Sequence, residues 1–268
     1  MYGSGSDGAT GRVEIGVVQM SLLDGQVERN LETAMSLIAG APGAQLYLLP
    51  ELFTTGYAHD SWQRAGEQYP AVVGELARLA ENTGAVICGS LIAVDSGCLF
   101  NRMVAVLPGT RRPVVYDKIH LFGLMKEDAH LRPGRKVSVF EHLGVGFGMA
   151  ICYDLRFPAM FQQMAPPAKV ILVASEWPEP RCETMILMAR ARAAENQCYV
   201  VLSNRCGSGA DGTVFCGHSM AIGPDGSIMA DTATNPRVLR VRIVPDDVMS
   251  ARAALDVFKD RVPGIDAR

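Results

Sequence analysis

Three residues that can do chemistry each stand where an apolar, strand-like run gives way to a loop. They are a carboxylate, an amine and a thiol: Glu51 follows segment 47–50, Lys118 follows segment 114–117, and Cys152 ends the run that begins at residue 148. A free thiol is little ionised near neutral pH, so a cysteine nucleophile needs a neighbouring base or positive charge. Because Glu51 and Lys118 can supply both, the pattern predicts an enzyme with a cysteine nucleophile.

These segments, in this order, resemble the Glu-Lys-Cys triad of the nitrilase (carbon-nitrogen hydrolase) superfamily. Other segments also resemble landmarks of that family: Pro-Glu-Leu-Phe-Thr-Thr-Gly-Tyr at 50–57, Lys-Ile-His-Leu-Phe-Gly at 118–123, Arg-Pro-Gly at 132–134, Ala-Arg-Ala-Ala-Glu-Asn-Gln at 191–197, Ser-Asn-Arg-Cys-Gly at 203–207 and Gly-His-Ser-Met at 217–220. One such motif is weak evidence of kinship, whereas an ordered set that spans most of the chain is specific.

The elements that must position these residues alternate between strand-like and helix-like patterns. Short apolar runs rich in β-branched residues predict strands at 13–19, 46–49, 86–94, 103–107, 145–152, 170–174 and 199–204. Helical periodicity predicts helices at 26–39, 72–82 and 182–196, with a further helix starting near residue 157. Periodicity alone gives an α/β protein, in which helices cover sheet faces. The family resemblance implies a four-layer α-β-β-α sandwich.

Length and composition agree with one folded unit. The chain has 268 residues, 49% of them hydrophobic, and a formal net charge of −3. A chain of this size can bury a large core, and no linker or repeat divides it. We therefore predict a flexible N-terminal tail over residues 1–11 and a single carbon-nitrogen hydrolase domain over residues 12–268.

The same composition argues against several classes of protein. There is no basic surplus to indicate nucleic-acid binding, and no apolar run approaches the roughly 18 residues of a membrane span. The N-terminus lacks the charged and apolar regions of a secretory signal, so we predict a cytoplasmic protein without a membrane partner. Seven cysteines in no tight pattern predict reduced thiols. With neither a Cys-x-x-Cys nor a His-x-x-x-His motif, we expect no metal and no cofactor.

The resemblance also implies a role for each site residue. Glu51 would act as the general base for Cys152, and Lys118 would face the oxyanion, with the backbone N–H of Tyr153 as a second donor. Cys152 on a strand-to-helix turn would lie near the positive end of a helix dipole, which favours the thiolate. Glu127 stands where many relatives carry a second glutamate.

Some assignments leave alternatives open. Asp128 is adjacent to Glu127 and could take its place. His120, two residues from Lys118 and expected to point the same way, could serve as a base, although structural hydrogen bonding is the simpler interpretation. Tyr57 and Trp177 are placed by the resemblance at the rim of the substrate pocket, but Trp177 could equally cap the core.

Arg156 bears on the substrate. A guanidinium four residues after Cys152 could hold a carboxylate with two parallel hydrogen bonds, or it could pair with Asp154 and stiffen the loop. The segment Cys-Tyr-Asp-Leu-Arg-Phe-Pro at 152–158 resembles the ω-amidase branch. The prediction is therefore hydrolysis of a short ω-amide of a dicarboxylic acid, such as succinamate or 2-oxoglutaramate. A nitrile hydrolase, a general aliphatic amidase and a thiol-based redox protein remain alternatives.

The family resemblance further implies subunits that pair. The apolar stretch 185–188 within a predicted helix fits either an interface or an ordinary core face. We therefore predict a homodimer.

Overall fold

The structure is a computed structural model that describes residues 11–110 and 112–262. The predicted tail at 1–11 falls, apart from Gly11, outside the described residues. The strands are β1 Val13–Gln19, β2 Leu46–Leu48, β3 Val86–Asp95, β4 Cys98–Val106, β5 Val114–Asp117, β6 Ser138–His142, β7 Val145–Ile151, β8 Val170–Ser175, β9 Tyr199–Asn204, β10 Cys206–Ser208, β11 Val214–Cys216, β12 Met220–Ile222, β13 Ile228–Asp231 and β14 Arg237–Ile243. The α-helices are α1 Val27–Ala39, α2 His59–Thr83, α3 Glu127–His130, α4 Pro158–Met164, α5 Cys182–Asn196 and α6 Pro245–Ala254. Short 3₁₀ turns lie at Gly123–Met125, Cys152–Arg156 and Glu179–Arg181.

Two six-stranded sheets form the centre of the fold. Their strand orders are β14-β1-β2-β3-β4-β5 and β13-β12-β9-β8-β7-β6, and β10 pairs with β11 beside them. Alternate residues of β1, such as Ile15 and Val17, share one buried core with Phe147 and Met149 of β7, so the sheets pack face to face. Helices α1 and α2 cover one outer face, and α4 and α5 cover the other. This arrangement confirms the predicted four-layer α-β-β-α sandwich.

Strand direction brings the loops of both sheets to one edge. In the first sheet β2 runs parallel to β1 and β3, and β5 lies antiparallel to β4, which is itself antiparallel to β3. In the second sheet β8 runs parallel to β7 and β9. Carboxyl ends of parallel strands are where α/β proteins place their sites. The residues that follow β2, β5, β7 and β8 are therefore able to meet.

The observed elements differ from the predicted ones where polar residues hide the pattern. Helix α2 begins at His59, well before the predicted start at residue 72, although Pro70 lies inside it. Trp62 and Ala65 are buried on its inner face, so packing overrides the weak local signal. Strand β4 begins at Cys98, before the predicted start at residue 103. The prediction starts too late because Asn101 interrupts the apolar run. Strand β6 and the strands after β9 are short or half-exposed and are missed. No helix in the described part of the chain is long and apolar enough to cross a membrane.

Candidate active site

A buried cluster of three charged side chains lies where the strand ends meet. Lys118 Nζ donates to Glu51 Oε1 at 2.7 Å and to Glu127 Oε2 at 2.7 Å. All three side chains are fully inaccessible to solvent. Asp128, the sequence alternative, is exposed. The structure thus brings Glu127, and not its neighbour, to Glu51 and Lys118.

Electrostatics inside the cluster keep the lysine charged. Burial alone opposes the ammonium charge, but the carboxylates of Glu127 and Glu51 outweigh it and raise the pKa of Lys118. Lys118 has three N–H donors, and its two hydrogen bonds to described residues leave one donor. Such a buried ionic group is costly to assemble, which makes it a strong candidate for function.

Glu51 is held by donors from both sheets. Its Oε1 accepts from Asn101 Nδ2 at 2.8 Å as well as from Lys118, and its Oε2 accepts from the backbone N–H of Glu176 at 3.0 Å. The Tyr57 hydroxyl lies 3.1 Å from Glu51 Oε1. Burial nevertheless raises the pKa of Glu51; the charge of Lys118 opposes this rise. Glu51 is therefore a fixed carboxylate with a greater proton affinity than an exposed glutamate.

Asn101 is a site residue that sequence reasoning missed. Its Nδ2 contacts both Glu51 and Glu127, the latter at 3.1 Å, and its Oδ1 accepts from Ser90 Oγ at 2.8 Å. Ser90 Oγ in turn accepts from the backbone N–H of Leu52 at 2.9 Å. An amide beside Arg102 in the otherwise apolar β4 was the available signal, because a buried amide needs partners.

Cys152 begins a 3₁₀ turn that leads into α4, the helix predicted to start near residue 157. Its φ angle of 43° lies in the left-handed region, which is strained for a residue with a side chain. The thiol is buried close enough to Glu51 and Lys118 for the charges of both to act on its ionisation. Burial, and next the charge of Glu51, raise the pKa of Cys152 well above its ordinary value, although Lys118 opposes them. The expectation of a resting thiolate is therefore wrong: the thiol keeps its proton beside a carboxylate.

The strained turn is held by Asp154, a second residue that sequence reasoning did not single out as functional. Its Oδ2 accepts from the backbone N–H of Ile151 at 2.9 Å and from the Tyr116 hydroxyl at 2.7 Å. Its Oδ1 accepts from the backbone N–H of His120 at 3.1 Å, and the His120 ring nitrogen Nδ1 lies 2.8 Å away. His120 thus joins Asp154 and not Lys118, in agreement with a structural role.

Arg156 faces aromatic rings near the nucleophile. Its guanidinium carbon lies 5.4 Å from the ring centroid of Trp177 and 5.8 Å from that of Tyr153. Within residues 11–110 and 112–262 it forms no ion pair, so the alternative of pairing with Asp154 is not observed. Trp177 is 3% exposed, and its indole N–H has no hydrogen-bond partner in the same ranges. The Arg156 guanidinium and the Trp177 indole thus lie together beside Tyr153, the residue that follows Cys152.

A cleft of about 760 Å³ opens above the cluster. Tyr57 and Phe122 line it, and its walls include segments 178–181 and 211–214. Tyr57 joins the cleft to the buried cluster, because its hydroxyl lies 3.1 Å from Glu51 and 3.3 Å from Glu127. The volume is that of a site for a small molecule.

A further buried carboxyl group, that of Glu176, lies behind Glu51. Glu176 Oε2 lies 3.1 Å from Arg205 Nη1, and Arg205 Nη2 lies 2.8 Å from Asp24 Oδ1. Burial raises the pKa of Glu176 to about 8 even though Arg205 opposes the shift. Sequence reasoning placed the Glu176 loop at the pocket but found no role for this ion pair.

Comparison with known proteins adds an independent line of support. The carbon-nitrogen hydrolase family profile matches residues 14–253. The chain is 31% identical to 2-oxoglutaramate amidase of Bacillus subtilis, over 92% of this chain and 96% of that protein. It is 32% identical to omega-amidase YafV of Escherichia coli, over 94% of each. A CN-hydrolase superfamily protein from Xanthomonas campestris, solved with an arsenic adduct in its active site, superposes with a TM-score of 0.89 at 27% identity, covering 94% of this chain and 97% of that one.

Proposed function

This chain belongs to the carbon-nitrogen hydrolase family, and from that premise we propose that it hydrolyses the amide C–N bond of a small, carboxylate-bearing amide through a thioester on Cys152. The observation that carries this proposal is the burial of Cys152 beside the Glu51–Lys118 pair, whose ammonium has a donor to spare. Nucleophile, base and oxyanion donor are the parts that acyl transfer requires.

In the acylation half, Glu51 takes the thiol proton while Cys152 Sγ attacks the amide carbonyl carbon. The carbonyl π electrons move onto oxygen, and the remaining N–H of Lys118 and the backbone N–H of Tyr153 stabilise the oxyanion. When this intermediate collapses, the C–N bond breaks and Glu51 returns its proton to the leaving nitrogen. A primary amide therefore releases ammonia and leaves the acyl group on sulfur.

In the deacylation half, the same groups act on water. Glu51 removes a proton from a water molecule as its oxygen attacks the thioester carbon, and Lys118 again faces the oxyanion. Collapse breaks the C–S bond, the carboxylic acid departs and the Cys152 sulfur recovers a proton from Glu51. A high pKa of the Cys152 thiol is compatible with this cycle. Glu51 removes the proton as the sulfur attacks, so the thiol need not be ionised beforehand.

Glu127 serves this cycle through Lys118. A lysine between two carboxylates cannot swing away from the oxyanion position, and its charge is retained throughout. The negative charge of Glu127 also raises the pKa of Glu51, which makes Glu51 a better base. We therefore assign Glu127 to the positioning and tuning of the other two groups.

The unpartnered donors of Arg156 and Trp177 support the choice of substrate class. A guanidinium and an indole N–H near the nucleophile can accept a carboxylate at the far end of a short chain. The two relatives named as 2-oxoglutaramate amidase and omega-amidase are in keeping with this chemistry. Succinamate and 2-oxoglutaramate are therefore the proposed substrates, and nitrile or general aliphatic amide hydrolysis is the alternative.

A panel of small amides with an ammonia-release readout tests the proposal. It contains ω-amides of dicarboxylic acids, uncharged amides of equal chain length, and the matching nitriles, each assayed with the wild-type chain and with Cys152→Ala. We expect the acid amides to have the highest kcat/KM and the variant to be inactive. Higher kcat/KM for the nitriles, or ammonia release by the variant, would contradict it.

A further inference from the structure

Two thiols outside the proposed active site meet at the rim of the cleft. Cys182 opens α5 directly after the turn Glu179–Arg181, and Cys216 ends β11. The bridge between Pro178 and Phe215 brings their segments together, and each thiol affects the pKa of the other. Cys216 is buried, whereas Cys182 is partly exposed. The pair thus combines an accessible sulfur with a sheltered one.

Backbone contacts hold the two segments side by side. The backbone N–H of Cys216 donates to the carbonyl of Trp177 at 3.2 Å, and Phe215 forms a bridge with Pro178. Asn204 Nδ2 donates to Cys216 Sγ at 3.4 Å, which orients that sulfur. The meeting of the thiols is therefore a property of the fold around the cleft.

The surroundings favour reaction at Cys182. The interaction with Cys216 lowers the pKa of Cys182 against the opposing effect of burial, and the charge of His218 lowers it further. His218 Nδ1 lies 2.9 Å from Asp231 Oδ2; partial burial opposes the imidazolium, but this contact raises the pKa of His218. By contrast, burial raises the pKa of Cys206 to about 11.

A metal site is the first alternative use of these residue types. Cysteine, histidine and aspartate are all ligands of transition metals, and four of them surround this point. In the part of the chain that the structure describes, however, no group of three or more His, Cys, Asp or Glu is arranged to hold a metal ion. The thiol pair itself is what remains to be explained.

We propose that Cys182 and Cys216 form a reversible disulfide, with a hydroperoxide as the oxidant. The Cys182 thiolate attacks one peroxide oxygen, the O–O bond breaks, and the departing oxygen takes a proton to leave as water when the oxidant is hydrogen peroxide. The sulfur of Cys216 then attacks the sulfenic sulfur, so that an S–S bond forms and the S–O bond breaks. The hydroxyl leaves with the Cys216 proton as a second water, and an added dithiol reverses the reaction.

The disulfide would act on the cleft, because each of its ends follows a segment that lines the cleft. Glu179 to Arg181 and Thr213 to Val214 are these segments. An S–S bond of about 2.05 Å is shorter than any thiol hydrogen bond, so closure draws these segments together. Oxidation should therefore raise KM for bulky amides more than for the smallest ones, and dithiothreitol should reverse the change.

The experiment must distinguish the proposed disulfide from a second one that Cys216 could form. Cys206 lies opposite Cys216 in the β10–β11 ladder and could form a cross-strand disulfide. Trypsin separates the possibilities, because cleavage after arginine yields peptide 182–190 with Cys182 and peptide 206–237 with both Cys206 and Cys216. A Cys182–Cys216 bond joins the two peptides, whereas a Cys206–Cys216 bond lies within the second.

The test treats the full-length chain and its Cys152→Ala variant, which lacks the proposed nucleophile, with hydrogen peroxide. Free thiols are then alkylated and the chains are digested without reduction. We expect an intact-mass loss of about 2 Da in the Cys152→Ala variant and, in both chains, a 182–190 to 206–237 cross-link that fragmentation assigns to Cys216. Cys206→Ser should retain the link, and Cys216→Ser should expose a Cys182 sulfenic acid to dimedone. A bond within 206–237, or full alkylation of peptide 182–190 in both chains, would overturn the proposal.

Discussion

The backbone N–H of Glu176 lies 3.0 Å from Glu51 Oε2, so one buried carboxyl group stands directly behind another. Both groups are fully buried, and the negative charge of Glu51 contributes to raising the pKa of Glu176. The positive charge of Arg205, whose Nη1 lies 3.1 Å from Glu176 Oε2, opposes this rise in pKa. The protonation state of Glu176 is therefore linked both to the stability of the fold and to the setting of the proposed base.

This relationship predicts how stability depends on pH. Glu176 has a folded-state pKa of about 8 and an ordinary value of 4.5, so between these pH values the folded chain binds a proton that the unfolded chain has lost. The stability contribution is therefore present below pH 4.5 and is lost as the pH rises toward 8. Glu176→Gln removes this titrating group. As the pH rises, the unfolding free energy of the variant should therefore fall less steeply than that of wild type, and the two slopes should differ by about 1 kcal/mol per pH unit.

Denaturant unfolding at intervals between pH 5 and pH 8 measures this difference. Glu141→Gln changes an exposed carboxylate and is the matched control, which should follow the wild-type profile. Parallel profiles for Glu176→Gln and wild type would show that Glu176 is already ionised in the folded chain at pH 5.

The nucleophile prediction concerns Cys152. Cys152→Ala should abolish hydrolysis and leave the circular dichroism spectrum unchanged, because Asp154 and its hydrogen bonds still hold the turn. Wild-type protein quenched with a slow substrate should carry the acyl mass on the peptide that contains Cys152. Cys98→Ala, at the start of β4, is the control and should remain active. An acyl group on any other cysteine would refute the thioester assignment.

Sequence reasoning located the groups that stand at strand ends, and the reason is physical. Glu51, Lys118 and Cys152 interrupt apolar runs, where a polar group must have a partner, and their flanks carry the family resemblance. Asn101 gave a weaker signal, because it interrupts an apolar run without a family motif at its flanks. The thiol pKa was expected in the wrong direction, since it depends on burial and on the distance to Glu51, and neither can be read from local spacing.

A matched pair of substitutions tests the role of Glu127. Glu127→Gln keeps the shape of the side chain but removes the charge that raises the pKa of Glu51. We expect kcat to fall by about 10- to 100-fold and the acidic limb of the pH–rate profile to move to lower pH, because Glu51 becomes a weaker base. Asp128→Asn alters the exposed neighbour and should change neither quantity. Equal losses in the two variants would remove Glu127 from the site.

Oligomeric state remains a prediction. Within the apolar stretch of α5, Met185 is buried in the core, whereas Leu187 is 66% exposed, so the stretch serves the core and also leaves a large apolar side chain outside. Light scattering should give twice the chain mass of 28.8 kDa. A stable dimer buries at least about 1,000 Å², so Leu187→Asp should shift the mass toward the monomer. Leu143→Asp, in an exposed turn, is the control. A wild-type mass of 28.8 kDa would contradict the dimer.

The proposed selection of carboxylate-bearing amides rests on Arg156. Arg156→Lys retains the charge but loses the planar pair of donors that matches a carboxylate. KM for succinamate and 2-oxoglutaramate should rise about tenfold or more, the equivalent of roughly 1.4 kcal/mol, whereas KM for uncharged amides of equal length should change little. Trp177→Phe removes the unpartnered indole N–H together with the larger ring and should move KM in the same direction by a smaller factor. Arg64→Lys, on the exposed face of α2, is the matched control. Equal losses on acid and neutral amides would show that Arg156 is structural, and the proposed function would then be that of a general amidase.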